Sequence, residues 1–368
     1  MAAVLAVLAG CAGDDGPTPV RSALTPAEAR ALVDRALPPS VTRERQAWVT
    51  DIHAALSSLS LPINHGSVCS VVAVIEQESS FQSNPKVPGL PAIAWREIDG
   101  RADRAGVPRF VVRTALALPS RDGRSFSERI DGASTEQELS DLFQDFIGMV
   151  PMGKTLFAGY NPVRTGGPMQ VSIAWAEQQV AQRPYPYPVR DSIRGEVFSR
   201  RGGLYFGIAH LLDYPTAAYD RPLYRFADFN AGHYTSRNAA FQNAVTSISG
   251  VPLALDGDLI DPKTDARRAG ATELATRVLG ARLGLSDGRI REDLETEKTV
   301  RFEQTALYQR VFRLADESNR SPVPRAVLPR IRLASPKITR NLTTEWFANR
   351  VDERHQRCLA RVDLPATR

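Results

Sequence analysis

Residues 67–85 read SVCSVVAVIEQESSFQSNP, and the spacing within them decides the fold. Val68, Val71, Val72 and Ile75 recur at three- and four-residue steps, which predicts an amphipathic helix with one apolar face, stopped by Asn84-Pro85. Glu78 continues that face three residues after Ile75, whereas Glu76 points roughly the opposite way. A helix-end glutamate ordinarily turns to solvent, since acidic side chains are rarely buried without a partner. A carboxyl held against an apolar wall behaves differently. Burial disfavours its ionised form, so it keeps a proton near neutral pH and can deliver it to a leaving oxygen.

Three more stretches follow Glu78-Ser79 in order. They are Gly166-Gly167-Pro168-Met169-Gln170-Val171, Leu204-Tyr205-Phe206-Gly207-Ile208-Ala209-His210-Leu211 and Phe226-Ala227-Asp228-Phe229-Asn230-Ala231-Gly232. Together they resemble the motifs of soluble lytic transglycosylases, members of the lysozyme superfamily: a helix ending in Glu-Ser, a Gly-Leu-Met-Gln turn, a Tyr-Gly-x-x-Tyr-Leu helix and a Tyr-Asn-Ala-Gly segment. The resemblance implies a mostly α, lysozyme-like helical domain acting on peptidoglycan glycan strands. It implies one catalytic carboxyl, Glu78, serving first as acid and then as base, where two-carboxylate glycosidases add an aspartate nucleophile. The muramoyl 6-hydroxyl then attacks its own C1 and a 1,6-anhydro sugar results, with no cofactor. Matched motif by motif, Ser79 hydrogen-bonds near the site, Met169 and Gln170 line the cleft, and Asn230 binds at the floor beside Glu78. The family's tyrosine is Phe229 here, which removes a hydrogen bond to the carboxyl worth about 1 kcal/mol and implies slow turnover.

Nearly the whole chain also resembles a narrower group, the YaiW-like outer-membrane lipoproteins, classed as a domain of unknown function. That resemblance rests on Cys69-Ser70-Val71 before Gln77-Glu78-Ser79, on Val87-Pro88-Gly89-Leu90, on Met149-Val150-Pro151-Met152-Gly153, on Thr165-Gly166-Gly167-Pro168-Met169-Gln170-Val171-Ser172 and on Ser335-Pro336-Lys337-Ile338-Thr339-Arg340-Asn341-Leu342-Thr343-Thr344. It implies a function of another class: a non-catalytic envelope lipoprotein that binds glycan or peptide and assists peptide uptake with an inner-membrane transporter.

A chain of 368 residues, 43% hydrophobic, can bury one large core or two modest ones. The net charge of +5 and pI near 9.2 are mild and the arginines scattered, which argues against nucleic acid and fits an anionic wall polymer or lipid surface. No run of about 18 apolar residues exists to cross a membrane as a helix. The first residues, MAAVLAVLAGC, end in Leu8-Ala9-Gly10-Cys11, which looks like a bacterial lipobox followed by a polar, Pro-containing tether. Ala12, where retained lipoproteins carry Asp, favours the outer membrane, with the domain periplasmic or surface-exposed. Cys69 and Cys358 are either a disulfide pair in an oxidising compartment or, for Cys69, a buried free thiol. The five histidines are far apart and no Cys-x-x-Cys spacing occurs, so no metal site is expected.

The expected organisation is a signal peptide over 1–10, a tether over 11–24, a lysozyme-like domain over 25–250 and a helical extension over 251–368. An insertion over about 86–165 separates Glu78 from Gln170 and would sit beside the cleft. Within it, Thr135-Glu136-Gln137-Glu138 is a capping box opening a helix with Leu139, Leu142, Phe143, Phe146 and Ile147 on one face. Further helices are expected over 241–248, 272–285, 289–316 and 344–362. Replacing Cys11 with Ser is expected to release the protein from membranes; fractionation of cells expressing the variant checks this, and an unchanged membrane fraction contradicts it.

Overall fold

The computed structural model describes residues 24–149, 152, 155, 158–261, 268–333 and 340–363. Cys11, the expected signal stretch and the tether up to residue 23 lie outside the described residues, as do 150–151, 153 and 335–339 of the stretches quoted above. The chain is mostly helical. Three helices come first: α1 (Pro26–Ala36), α2 (Arg45–Ser58) and α3 (His65–Glu78). Among the described residues of the insertion lie α4 (Leu90–Arg104), α5 (Arg109–Leu116), α6 (Phe126–Gly132) and α7 (Glu136–Gly148). A minimal antiparallel hairpin, β1 (Thr165–Gly166) with β2 (Val171–Ser172), leads to α8 (Ile173–Gln182), α9 (Ile193–Phe198), α10 (Arg200–Leu212) and α11 (Pro222–Ala231). Then come α12 (Thr235–Ser249), α13 (Ala271–Val278), α14 (Gly280–Leu283), α15 (Asp287–Leu294), α16 (Ala306–Asn319) and α17 (Thr344–Val362).

Local chemistry sets many of these boundaries. Asn64 and Ser67 form a reciprocal capping box at the start of α3, as Thr135 and Glu138 do for α7, each satisfying backbone N–H groups that the first helical turn leaves unpaired. The helix expected over 289–316 is instead broken. Thr296 and Thr299 hydroxyls bond back to local carbonyls, Thr305 caps α16, and the buried Asp293 carboxylate accepts from the Leu307 N–H at 3.0 Å. The helix expected over 241–248 starts earlier, at Thr235.

Two apolar cores result. The larger takes α1–α7, the hairpin, α8–α11 and also Phe347, Ala348, Val351, Cys358 and Val362 of α17. The smaller lies between α12 and α16, around Phe241, Leu279, Ile290, Phe302 and Val311. In space, then, the stretch 251–368 is divided: its last helix belongs with the first core. The buried Asp228 carboxylate at the end of α11 joins the two, accepting from Tyr234 and Ser236 N–H at the head of α12 and from the Tyr214 and Tyr219 hydroxyls. Burial pushes its pKa up to about 6 despite these donors. The fully buried Arg237 then ties α12 to carbonyls of Glu297 and Thr299.

Residues 67–85 do not form one helix with a single apolar face: α3 ends at Glu78, where the Ser79 hydroxyl closes it, short of Asn84-Pro85. Every residue from Val68 to Ile75 is buried, Ser70 included, so α3 is a central helix covered all round. The covering comes from α1, α10 and, above all, α17, which no local pattern could reveal. α17 runs antiparallel to α3: His65 pairs with Asp363 at one end, and Glu76 lies 3.8 and 3.5 Å from Arg354 and Arg357 at the other. Between them Cys69 and Cys358 form a disulfide, buried, with Cα atoms 5.4 Å apart and 289 positions apart in sequence. Closing so long a loop restricts the unfolded chain, so replacing both cysteines with Ala is expected to lower the unfolding free energy by about 2–5 kcal/mol. Urea denaturation with and without reductant measures this; equal midpoints for wild type and variant under non-reducing conditions would contradict it.

Candidate functional site

Glu78 is the last residue of α3 and is half-buried. Ser79 is buried, and its N–H and Oγ both donate to the Ile75 carbonyl, at 3.0 and 3.1 Å, so its hydroxyl closes the helix rather than reaching toward a ligand. The chain then turns through two left-handed residues, Ser80 (φ 49°) and Phe81 (φ 62°), a conformation that costs free energy for side-chain-bearing residues. Packing holds it: Phe81 meets Trp48 edge-on with centroids 5.3 Å apart. A few residues on, the Asn84 amide donates to Thr135 Oγ1 and Gln137 Oε1, and Val87 N–H to Ser134 O, which fastens the start of α7 beside the exit from α3. The start of α7 is thereby tied to chain six to nine residues beyond Glu78. Gln77 Oε1 is buried with no donor among the described residues.

The turn between β1 and β2 carries Gly167-Pro168-Met169-Gln170 and sits in a notch cut by glycines. A Cβ on Gly203 would lie 2.5 Å from Pro168 Cδ, and one on Gly207, a helical turn later, 2.4 Å from Met169 Sδ and 2.6 Å from Met169 Cβ. Gly167 itself has φ 74° and would meet the Val197 carbonyl at 2.1 Å. Only hydrogens at these positions let the turn touch α10. Met169 is consequently wholly buried; it supports the turn from beneath and is not laid open along a cleft. Gln170, half-buried with φ 52°, donates from Nε2 to Gly167 O at 3.2 Å and accepts from Thr165 Oγ1 at 3.3 Å.

On α11, Phe229 is nearly buried and Asn230 exposed. Asn230 Oδ1 accepts from Thr344 Oγ1 at 3.1 Å at the first turn of α17. Phe229 lies 5.2 Å from the His210 ring, the first of a layer that the sequence reading did not single out. His233 is stacked between Tyr214 at 4.0 Å and His210 at 4.5 Å, with Trp175 edge-on to both. Burial, then the neighbouring His233, pushes His210 down to about 3, and burial lowers His233 as well, so both imidazoles are neutral at ordinary pH. A signal was present: His210 stands where the Tyr-Gly-x-x-Tyr-Leu pattern has its second tyrosine, and His233 directly follows Gly232.

The structure thus gathers α3, the hairpin, α10 and α11 on one core in which Ile75, Met169, Leu204 and Phe229 all take part. Glu78, Gln170 and Asn230 each stand at the edge of that core with a side chain at least partly open. Three cavities of about 360, 380 and 540 Å³ lie elsewhere, lined by residues between 281 and 325. Among the described residues, no group of three His, Cys, Asp or Glu side chains could hold a metal ion.

The sequence profile of a family described as "Protein of unknown function (DUF1615)" matches residues 41–361. The chain belongs to the DUF1615 family. It is 54% identical over 353 residues, covering 96% of this chain and 95% of the relative, to "Uncharacterized protein YaiW" of Escherichia coli (strain K12). No solved structure matches it. The profile of this DUF1615 member begins shortly before α2 and ends within α17, so it takes in the smaller core, the disulfide and all of the larger core but the part from α1 to Leu37 and the terminal Val362.

The glycine notch makes a quantitative expectation. Gly207→Ala overpacks against Met169 and should cost about 1–3 kcal/mol. Met169→Ala removes the Sδ and Cγ atoms it strikes and leaves only Cβ in its way, so the double variant should be less destabilised than the sum of the two single ones, by at least about 0.5 kcal/mol. Thermal or urea unfolding of the four proteins checks this; strict additivity would mean that the turn does not seat on α10.

Proposed function

We propose that this chain is an envelope lipoprotein, anchored in the outer membrane through Cys11, whose α3, hairpin and α11 form a lysozyme-type cleft for peptidoglycan glycan strands. Glu78 gives its proton to the glycosidic oxygen as the bond to C1 breaks, then takes the proton of the muramoyl 6-hydroxyl as that oxygen bonds to C1 and the 1,6-anhydro ring closes. The observation that carries the reading is the end of α3: a half-buried glutamate followed by a two-residue left-handed turn, with the Gly167–Gln170 segment on the same core. Strain of that kind is kept where a side chain must be aimed. The buried disulfide supports an oxidising compartment such as the periplasm.

A second reading has its own support. Phe229 has no hydroxyl and is packed against His210, so the hydrogen bond that the resembling enzymes direct at their carboxyl has no counterpart from this position. A cleft that binds glycan or peptide without turnover, serving peptide uptake with an inner-membrane transporter, follows from that loss. Mass spectrometry of purified peptidoglycan incubated with mature protein separates the two. Wild type should release 1,6-anhydromuramoyl products slowly, Glu78→Gln none, and Phe229→Tyr about fivefold faster than wild type, the equivalent of one restored hydrogen bond. Equal background release from wild type and Glu78→Gln leaves the binding reading standing, and free reducing ends without anhydro product would indicate a hydrolase.

A further inference from the structure

Away from the candidate site, the insertion carries an apolar face with nothing over it. Positions 107, 110, 111, 114 and 118 share one side of α5 and its flanks by three- and four-residue steps. They are Val107, Phe110, Val111, Thr114 and Leu118, and the four apolar ones are 38%, 72%, 44% and 50% exposed. The other side of α5 is already used, since Leu116 is buried in the larger core and Val112 packs against it. α5 therefore has two apolar sides, one inward and one outward. A short helix gains nothing in stability from an outward phenylalanine, and clustered exposed apolar groups of this kind mark contact surfaces.

The stretch of chain that carries this face is cationic. Between residues 103 and 124 the exposed charged side chains are Arg104, Arg109, Arg113, Arg121 and Arg124 against Asp103 and Asp122. Arg109 pairs with Asp103 and Arg124 with Asp122, while Arg113 pairs with the half-buried Asp99 and lies 3.6 Å over the Trp95 ring. Among the described residues, Arg104 and Arg121 make no ion pair. A two-fold contact with a second copy would set these arginines against one another. An anionic lipid surface suits both features at once: the apolar side chains enter to headgroup depth while arginine stems lie along them and hold their guanidinium groups at the phosphates.

We propose that the outward face of α5 docks on a phospholipid surface bearing anionic headgroups. The contact is interfacial, and no helix of the described residues is long and apolar enough to cross a membrane. It does not depend on the acyl anchor. On a tethered domain, even weak docking is amplified by high effective concentration and orients the protein on the bilayer.

The test uses the full chain carrying Cys11→Ser, so that no acyl chain contributes, sedimented with vesicles of phosphatidylcholine alone or with phosphatidylglycerol added. Binding is expected only with phosphatidylglycerol and should weaken as salt is raised. Phe110→Asp combined with Val111→Asp should reduce it at least about tenfold, and Arg104→Glu with Arg121→Glu severalfold, with circular dichroism unchanged because all four side chains are exposed. No binding to either vesicle, or binding indifferent to the Phe110 and Val111 changes, overturns the proposal. Self-association in gel filtration that those same changes abolish also overturns it, naming a second copy as the occupant.

Discussion

A helix with no solvent-facing side forms only where other segments are laid over each of its faces, and α3 is such a helix from Val68 to Ile75. Its sequence is rich in β-branched residues, which are not strong helix formers, so its stability comes from tertiary burial more than from intrinsic preference. α1 and α10 cover part of it, and α17, brought back from the far end of the chain, covers the rest. The disulfide and the ion pairs at either end set α17 in one register along α3. Because α17 also packs on α11 and receives Asn230 through Thr344, the same helix couples the two elements that carry Glu78 and Asn230.

The second constraint is close approach. The turn bearing Gln170 reaches α10 only because Gly203 and Gly207 leave a groove along one side of that helix, and only because Gly167 can take a positive φ at the point of contact. Glycine within a helix is costly, by roughly 1 kcal/mol relative to alanine, so two of them a turn apart are explained by what they admit. What they admit is Pro168 and Met169, the buried underside of a turn whose upper side presents Gln170.

Next to this lies an arrangement that keeps titratable groups neutral. His210 and His233 are stacked with Tyr214, with Trp175 edge-on and Phe229 beside His210, and burial holds both imidazoles uncharged. Their pKa values are depressed, so the unfolded chain takes up protons below its ordinary histidine range that the folded chain refuses. The sign follows: stability is fully present above about pH 6.5 and declines as the pH falls from there toward 3. Asp228, with its pKa raised, works in the opposite sense, favouring the folded state below its ordinary range and losing that contribution as the pH rises through about 6.

Much of this was legible in the order of residues. The capping box at Thr135 is local chemistry, α17 was bounded correctly by its own pattern, and Gly167 and Gly207 stand in the motifs, whereas α3 stops at Glu78, six residues before the expected stop at Asn84-Pro85. Local signals fail where distant chain supplies the environment. The spacing of Val68, Val71, Val72 and Ile75 describes one apolar face, and nothing near them in sequence announces that α17 covers another. The expected long helix over 289–316 was broken by threonines whose hydroxyls compete for backbone carbonyls and by a buried aspartate capping the next segment. The spending of Ser79's hydroxyl on Ile75, the burial of Met169 and the neutral histidine layer were likewise decided in three dimensions. Composition and periodicity report what a residue prefers; whether it meets water, a ligand or a neighbouring helix depends on which distant segment is packed against it, and that is a property of the folded chain alone.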